Sequence, residues 1–207
     1  MSRLVYAVKR IIFSFLATIK WTGWKHPLWI MIGSSTFKLK GKQYREVKRL
    51  IRPGDILVRR FDNYLNNSLI PGWWKHASIY VGQIWKTDSP CEVIHAIGEG
   101  VVSTDLIDFM RADHLLVLRL EEDGHSWVQY AIDTAKALLG REYDFEFDFR
   151  DPLRYCCTEL VMKCYPNLIK GKQRWGRLTV IADDIVAATE SEQRIDRLRI
   201  VWDSRKG

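Results

Sequence analysis

Between residues 56 and 120 the chain is a succession of short apolar runs of period two, broken by glycine, proline and aspartate, and long helical spacing returns only afterwards. That order, strands first and the main helices after them, restricts the fold more than any other feature. A short helix from Tyr44 to Ile51 ends at the "RPGD" turn of residues 52 to 55, and a strand starts at Ile56 in "DILVRR". "KHASIYVG" puts Ala77, Ile79 and Val81 on one face and His76, Ser78 and Tyr80 on the other, so this strand opens on a histidine. "EVIHAIGEGVVST" reads as one or two more strands about a turn at Gly98 to Gly100, and "HLLVLRL", residues 114 to 120, as another. The expected result is an antiparallel sheet. In "SWVQYAIDTAKALLG", Val128, Ala131, Ile132, Ala135, Leu138 and Leu139 recur at helical spacing up to the stop at Gly140. A helix starting near residues 155 to 157, a short one in "ADDIVAATE" and a last strand in "RLRIVWD" complete an α+β unit. No repeat or interdomain linker interrupts it, and 207 residues suit one globular domain.

The first 40 residues differ from the rest, as a basic, Trp-rich helical segment ahead of a domain over residues 41 to 207. Leu4, Val8, Ile11, Ile12, Phe15, Leu16 and Ile19 form an apolar helical stripe with Arg3, Lys9 and Lys20 around it. Two readings stay open: a basic interfacial helix in peripheral contact with a membrane, or a terminal helix docked on its own domain. The apolar stretch Ile11 to Ile19 is too short to span a bilayer, and "WTGW" is a poor cleavage site for a signal peptide. A cytoplasmic or peripheral-membrane location is expected, with export by a non-Sec route left open. The net charge of +7 suggests anionic partners such as membranes or cell-wall polymers. Nucleic acid is not expected, because the basic residues are scattered among acids instead of forming a stripe interleaved with aromatics.

Four cysteines occur, Cys91, Cys156, Cys157 and Cys164, and the adjacent pair cannot bridge without strain. Their spacing lacks the paired pattern of a structural zinc site, so neither a disulfide scaffold nor a metal or other cofactor is expected. Cys157 falls at the start of a helix, where the dipole favours a thiolate, while Leu160, Val161 and Cys164 supply an apolar side. Buried cysteines are common, so a nucleophile needs a partner imidazole. His76, opening a strand after the loop "IPGWWK", and His95, within Val93–Ile97, are the candidates, with His26, His114 and His125 in weaker contexts.

"GDILV", "KHASIYVG", "EVIHAIGEGV", "EYDFEF" and "YCCTELV", in that order over roughly residues 50 to 190, resemble the YiiX/YebB-like branch of the NlpC-type cysteine hydrolases. The resemblance implies a circularly permuted papain-like fold, an antiparallel sheet or partial barrel packed against helices, with the histidine strands preceding the nucleophile helix. It implies Cys157 as nucleophile, His76 as base and His95 as the third polar residue, a position that is often glutamate in close relatives; Glu92 and Glu99 stand nearby. Tyr143, Trp74 and Tyr155 are the candidates for contact with substrate, and Asp144, Glu146 and Asp148 form either part of a cleft or a solvated acidic turn. The implied activity is thiol-dependent cleavage of amides through a thioester, with peptidoglycan stem peptides as one substrate class. A lipid acyl hydrolase or acyltransferase, and a non-catalytic membrane-surface binding module with a deep, closed site, are the alternatives.

Overall fold

The computed structural model describes residues 3–16, 19–21, 30–32, 37–64, 67, 70–83, 92–121, 125–166, 168–174, 176–190 and 197–206. Cys91, His26, Trp24 and Trp29 lie outside the described residues, as does the side chain of His125. The chain begins with helix α1 (Arg3–Leu16) and two short paired strands, β1 (Ile19–Trp21) and β2 (Ile30–Ile32), followed by helix α2 (Gly41–Leu50). A six-stranded sheet is then built from β3 (Ile56–Arg60), β4 (His76–Tyr80), β5 (Val93–Ile97), β6 (Gly100–Thr104) and β7 (His114–Leu120), with helix α3 (Leu106–Phe109) between the last two. Helices α4 (His125–Ala137) and α5 (Cys157–Cys164) follow, then the paired strands β8 (Lys172–Arg174) and β9 (Arg177–Thr179), helix α6 (Ala182–Ala187) and the last sheet strand, β10 (Leu198–Asp203).

The sheet order is β10-β7-β3-β4-β5-β6 and every neighbouring pair is antiparallel, with β5 and β6 joined by a two-residue turn. The period-two pattern divides its side chains between two cores. On one face Ile56, Val58, Ala77, Ile79, Ile94, Ala96, Leu116 and Leu118 meet Ala131 and Ala135 of α4, Leu160, Val161 and Cys164 of α5, and Ile185 of α6. On the other, Leu57, Tyr80, Val93, Leu115 and Val117 meet Val47 of α2 and Leu106 and Phe109 of α3. Leu160, Leu116 and Phe109 are fully enclosed, and burial of each such side chain stabilises by roughly 1.5–3 kcal/mol. Truncating Leu160 would therefore loosen α5 itself.

Helix α3 and the pairs β1–β2 and β8–β9 go beyond the sequence expectations, and Ile19, read into the helical stripe, lies on β1 instead. The four residues of α3 are too few to show a period, yet Asp105 caps them by accepting the Ile107 N–H at 2.6 Å. The β8–β9 pair is polar and carries no alternation; it turns at Gly176, whose φ of +73° suits glycine.

Helix α1 settles against the domain in an unexpected orientation. Tyr6 and Phe13 pack on Phe145 with ring centroids 5.3 and 5.4 Å away, and Lys9 Nζ lies 3.1 Å from Glu146 Oε1. These residues share one side of the helix. The apolar stripe seen in the sequence points the other way, and no residue of α1 is buried.

Candidate active site

The nucleophile candidate owes its position to local capping. Cys156 is the N-cap of α5, with extended φ and ψ of −83° and 172°, so Cys157 is the first helical residue. Glu159 turns back to accept the Cys156 N–H at 3.4 Å, and the Thr158 hydroxyl donates to the Val180 carbonyl at 2.7 Å. The start of α5 is thus tied to the connection between β9 and α6. Cys156, Cys157 and Cys164 are all free thiols. Cys156 and Cys164 are fully buried, whereas Cys157 retains 6% exposure.

The sulfur of Cys157 reaches the sheet where two strands part. Pairing of β4 with β5 ends at Ser78 opposite His95, leaving His76 and Ala77 beyond the ladder. Val81 N–H donates to Glu92 on the β5 side, and two-residue alternation gives Ala77 N–H the same direction. With no strand partner there among the described residues, the Ala77 N–H points at the Cys157 sulfur, together with the N–H groups of Thr158 and of Cys157 itself. The sulfur therefore sits against the peptide bond that follows His76.

His76 and His95 meet on the opposite face of the same splayed pair, with His76 Nε2 3.0 Å from His95 Nδ1 and the rings edge to face. One nitrogen donates and the other accepts. When His76 carries its proton on Nε2, its Nδ1 holds the lone pair a general base needs. Phe109 backs both rings, at 5.9 Å from His76 and 5.4 Å from His95. The loop before His76 is fixed from α6: Asp183 accepts the N–H groups of Trp73 and Trp74 at 3.0 and 2.9 Å. Gly72, at φ +85°, leaves room for that carboxylate, which any Cβ would strike.

Arg59 joins this cluster, and the sequence reading passed over it. Register places it opposite His76 on β3, on the face of Phe109. Its guanidinium lies 4.0 Å over the Phe109 ring, and Nη1 donates to the Phe109 carbonyl at 2.7 Å. Its Nε is buried without a hydrogen-bond partner among the described residues. Burial lowers the Arg59 pKa to about 9, while Cys157 acts to raise it. In "DILVRR" the residue reads as a solvated strand end. Only the pairing of residues 59 and 76 reveals its neighbours.

These contacts set the resting protonation. Burial pushes the Cys157 thiol above its ordinary value, opposed by the three N–H groups and by Arg59. Burial, Arg59 and His95 together hold His76 well below the usual histidine range, and burial and Arg59 bring His95 to about 3. At neutral pH Cys157 is therefore a thiol, and both imidazoles are neutral. Glu159, also buried, is raised to about 8 and caps α5 as a neutral acid.

Among the other candidates, Tyr143 is brought close to Cys157. Burial raises its pKa well above the ordinary value, with Cys157 and Cys156 adding to the effect, and its N–H donates to the Tyr6 hydroxyl of α1 at 3.2 Å. Trp74 and Tyr155 belong to the helix-side core at 2% and 6% exposure, and the Tyr155 hydroxyl is taken up by the Pro152 carbonyl at 2.8 Å. Glu92 is engaged by Tyr80 and Lys48, and Glu99 is exposed in the β5–β6 turn, so His95 alone of the three faces His76. Asp144 is fully buried and accepts the N–H groups of Glu146 and Asp148, making the acidic segment a carboxylate-braced turn. Among the described residues no three His, Cys, Asp or Glu side chains gather as a metal site.

A family model described as "permuted papain-like amidase enzyme, YaeF/YiiX, C92 family" matches residues 50–196, which contain every group of this cluster. The crystal structure of YiiX from Escherichia coli O157:H7, described as a metalloprotein, is similar with a TM-score of 0.49. It is 20% identical, and the superposition covers 73% of this chain and 89% of that one. No curated protein matches the chain.

Proposed function

The chain belongs to the family of permuted papain-like amidases and is a thiol-dependent hydrolase of that kind; from that premise we propose that Cys157, His76 and His95 cleave amide bonds through a thioester. The observation that carries this reading is the contact of His76 Nε2 with His95 Nδ1 at 3.0 Å, with the Cys157 sulfur held against the Ala77 N–H next to His76. In the first step Sγ attacks the amide carbonyl carbon as its proton passes to His76 Nδ1. His95 accepts the Nε2 hydrogen bond and steadies the imidazolium that forms. The tetrahedral oxyanion collapses, the C–N bond breaks, and His76 gives its proton to the departing amine. Water, deprotonated by His76, then attacks the thioester and releases the acid, returning the proton to sulfur. The N–H groups at the start of α5 and of Ala77 are the donors available to the oxyanion.

The substrate class favoured is the stem peptide of peptidoglycan, an anionic, amide-rich polymer suited to a chain of net charge +7. A second reading, a lipid-borne acyl group, is favoured by the exposed apolar side chains of α1, a helix whose Tyr6 touches Tyr143 beside the nucleophile. The buried sulfur is the geometry expected of a non-catalytic binding module; membership of an amidase family weighs against that reading. The test is incubation with purified peptidoglycan fragments and, separately, with N-acylated phospholipid, following new amines by mass spectrometry. Release by the wild type and none by Cys157→Ala supports the proposal, and equal release by both contradicts it.

A further inference from the structure

We propose that α1 seats this protein on the surface of an anionic lipid bilayer, its apolar stripe entering the acyl boundary and its basic residues meeting the headgroups. The helix has two working sides. Tyr6, Lys9 and Phe13 hold it to the Tyr143–Glu146 segment through ring contacts, an ion pair and a hydrogen bond. On the opposite side Leu4, Val8, Ile11 and Ile12 follow at spacings of four, three and one and are 74%, 46%, 69% and 50% exposed. A helix recruited merely to complete the domain would turn that stripe inward, because apolar area removed from water is the main stabilising return of docking. Here the polar and aromatic side does the docking and the apolar side faces solvent.

Charge selects the occupant. Arg3 and Arg10 flank the stripe, Lys9 being engaged by Glu146 on the docked side, and α1 contains no acidic residue. A second copy laid face to face would set these cations against each other on a chain of net charge +7, whereas anionic headgroups complement them. The 14 residues of α1 make a rod of about 21 Å that fits the plane of an interface, and no helix among the described residues is long and apolar enough to cross a membrane. Tyr6, on the docked side, bonds the backbone of Tyr143, whose ring neighbours Cys157. Seating α1 would thus bring the thiol to within a helix diameter or so, on the order of 10–20 Å, of the headgroups.

The experiment is co-sedimentation of the full chain with vesicles of phosphatidylcholine containing phosphatidylglycerol, against vesicles of phosphatidylcholine alone. Wild type is expected to bind the mixed vesicles at least tenfold more tightly than the neutral ones, and to lose affinity as salt is raised. Leu4→Glu with Ile11→Glu, and separately Arg3→Glu with Arg10→Glu, should each weaken binding at least tenfold; both pairs are exposed, and unchanged thermal melts confirm an intact fold. Cys157→Ala should bind like wild type, so this result stands whether or not the amidase reading does. Absence of wild-type binding, or undiminished binding by the Leu4/Ile11 variant, overturns the proposal. So does a wild-type dimer in sedimentation velocity that the same variant dissociates without any vesicle binding.

Discussion

The two faces of the central sheet are built from the same period-two strands and carry opposite kinds of chemistry. On the helix side the core is almost wholly apolar, and its reactive group is a single sulfur at the start of α5. On the other side a buried guanidinium and two imidazoles crowd around Phe109. Neither face holds the whole of the candidate set. The parting of β4 from β5 after Ser78 and His95 lets a group from one face touch the backbone beside a group of the other. A sheet that kept pairing through Ala77 would spend that N–H on a carbonyl and deny it to the sulfur.

The largest test of this division lies in the two adjacent cysteines. Cys157→Ala should lower amidase turnover at least about a thousandfold, while Cys156→Ala, whose fully buried sulfur lies 3.4 Å from the Thr158 hydroxyl, should retain turnover within a few-fold and lose about 1 kcal/mol in urea unfolding. Comparable losses of turnover would erase the distinction between them. Crossing to the other face, His76→Ala should cost roughly a hundredfold to ten-thousandfold in kcat, the range for removing a general base. Measured kcat near wild type would detach the imidazoles from the chemistry.

The protonation of the histidine face gives a signature in stability. His95 is depressed to about 3 in the folded chain, so on acidification below its unfolded value near 6.5 the unfolded chain takes up a proton that the folded chain refuses. Stability from this residue is complete above that unfolded value and is lost as pH falls toward about 3. Between pH 7 and pH 5, wild type should lose about 2 kcal/mol more than His95→Gln in urea unfolding. Parallel losses in the two proteins would mean that His95 is not held neutral. The smallest effect concerns Arg59, which opposes the upward push of burial on the thiol. Arg59→Met should therefore slow iodoacetamide alkylation of Cys157 at neutral pH, where the guanidinium is charged. A faster reaction would reverse the assigned role.

Much of this was legible in the residues themselves. Alternation located β3 to β7, and the polar run through Pro152 located the start of α5 within a residue or so, because both rest on local physics. His76 was visible as a histidine at a strand's first position. The partnership of His76 with His95 was not, since it depends on a register across the connection at residues 83 to 91. Arg59 was hidden for the same reason: a charged pair at the end of a strand looks solvated until α3 closes over it. For α1 the apolar stripe was evident but its direction was not, because periodicity says that a helix has two sides and is silent on which one the protein uses.

The central claim is that Cys157, and neither of its buried neighbours, forms the acyl intermediate with the help of His76. Treating the protein with p-nitrophenyl acetate, quenching in acid and sequencing the peptides by tandem mass spectrometry tests it most directly. The account predicts an acetyl group on Cys157, abolished in Cys157→Ala and formed much more slowly in His76→Ala. Acetylation of Cys156 or Cys164 instead, or a rate on Cys157 indifferent to the loss of His76, would contradict it.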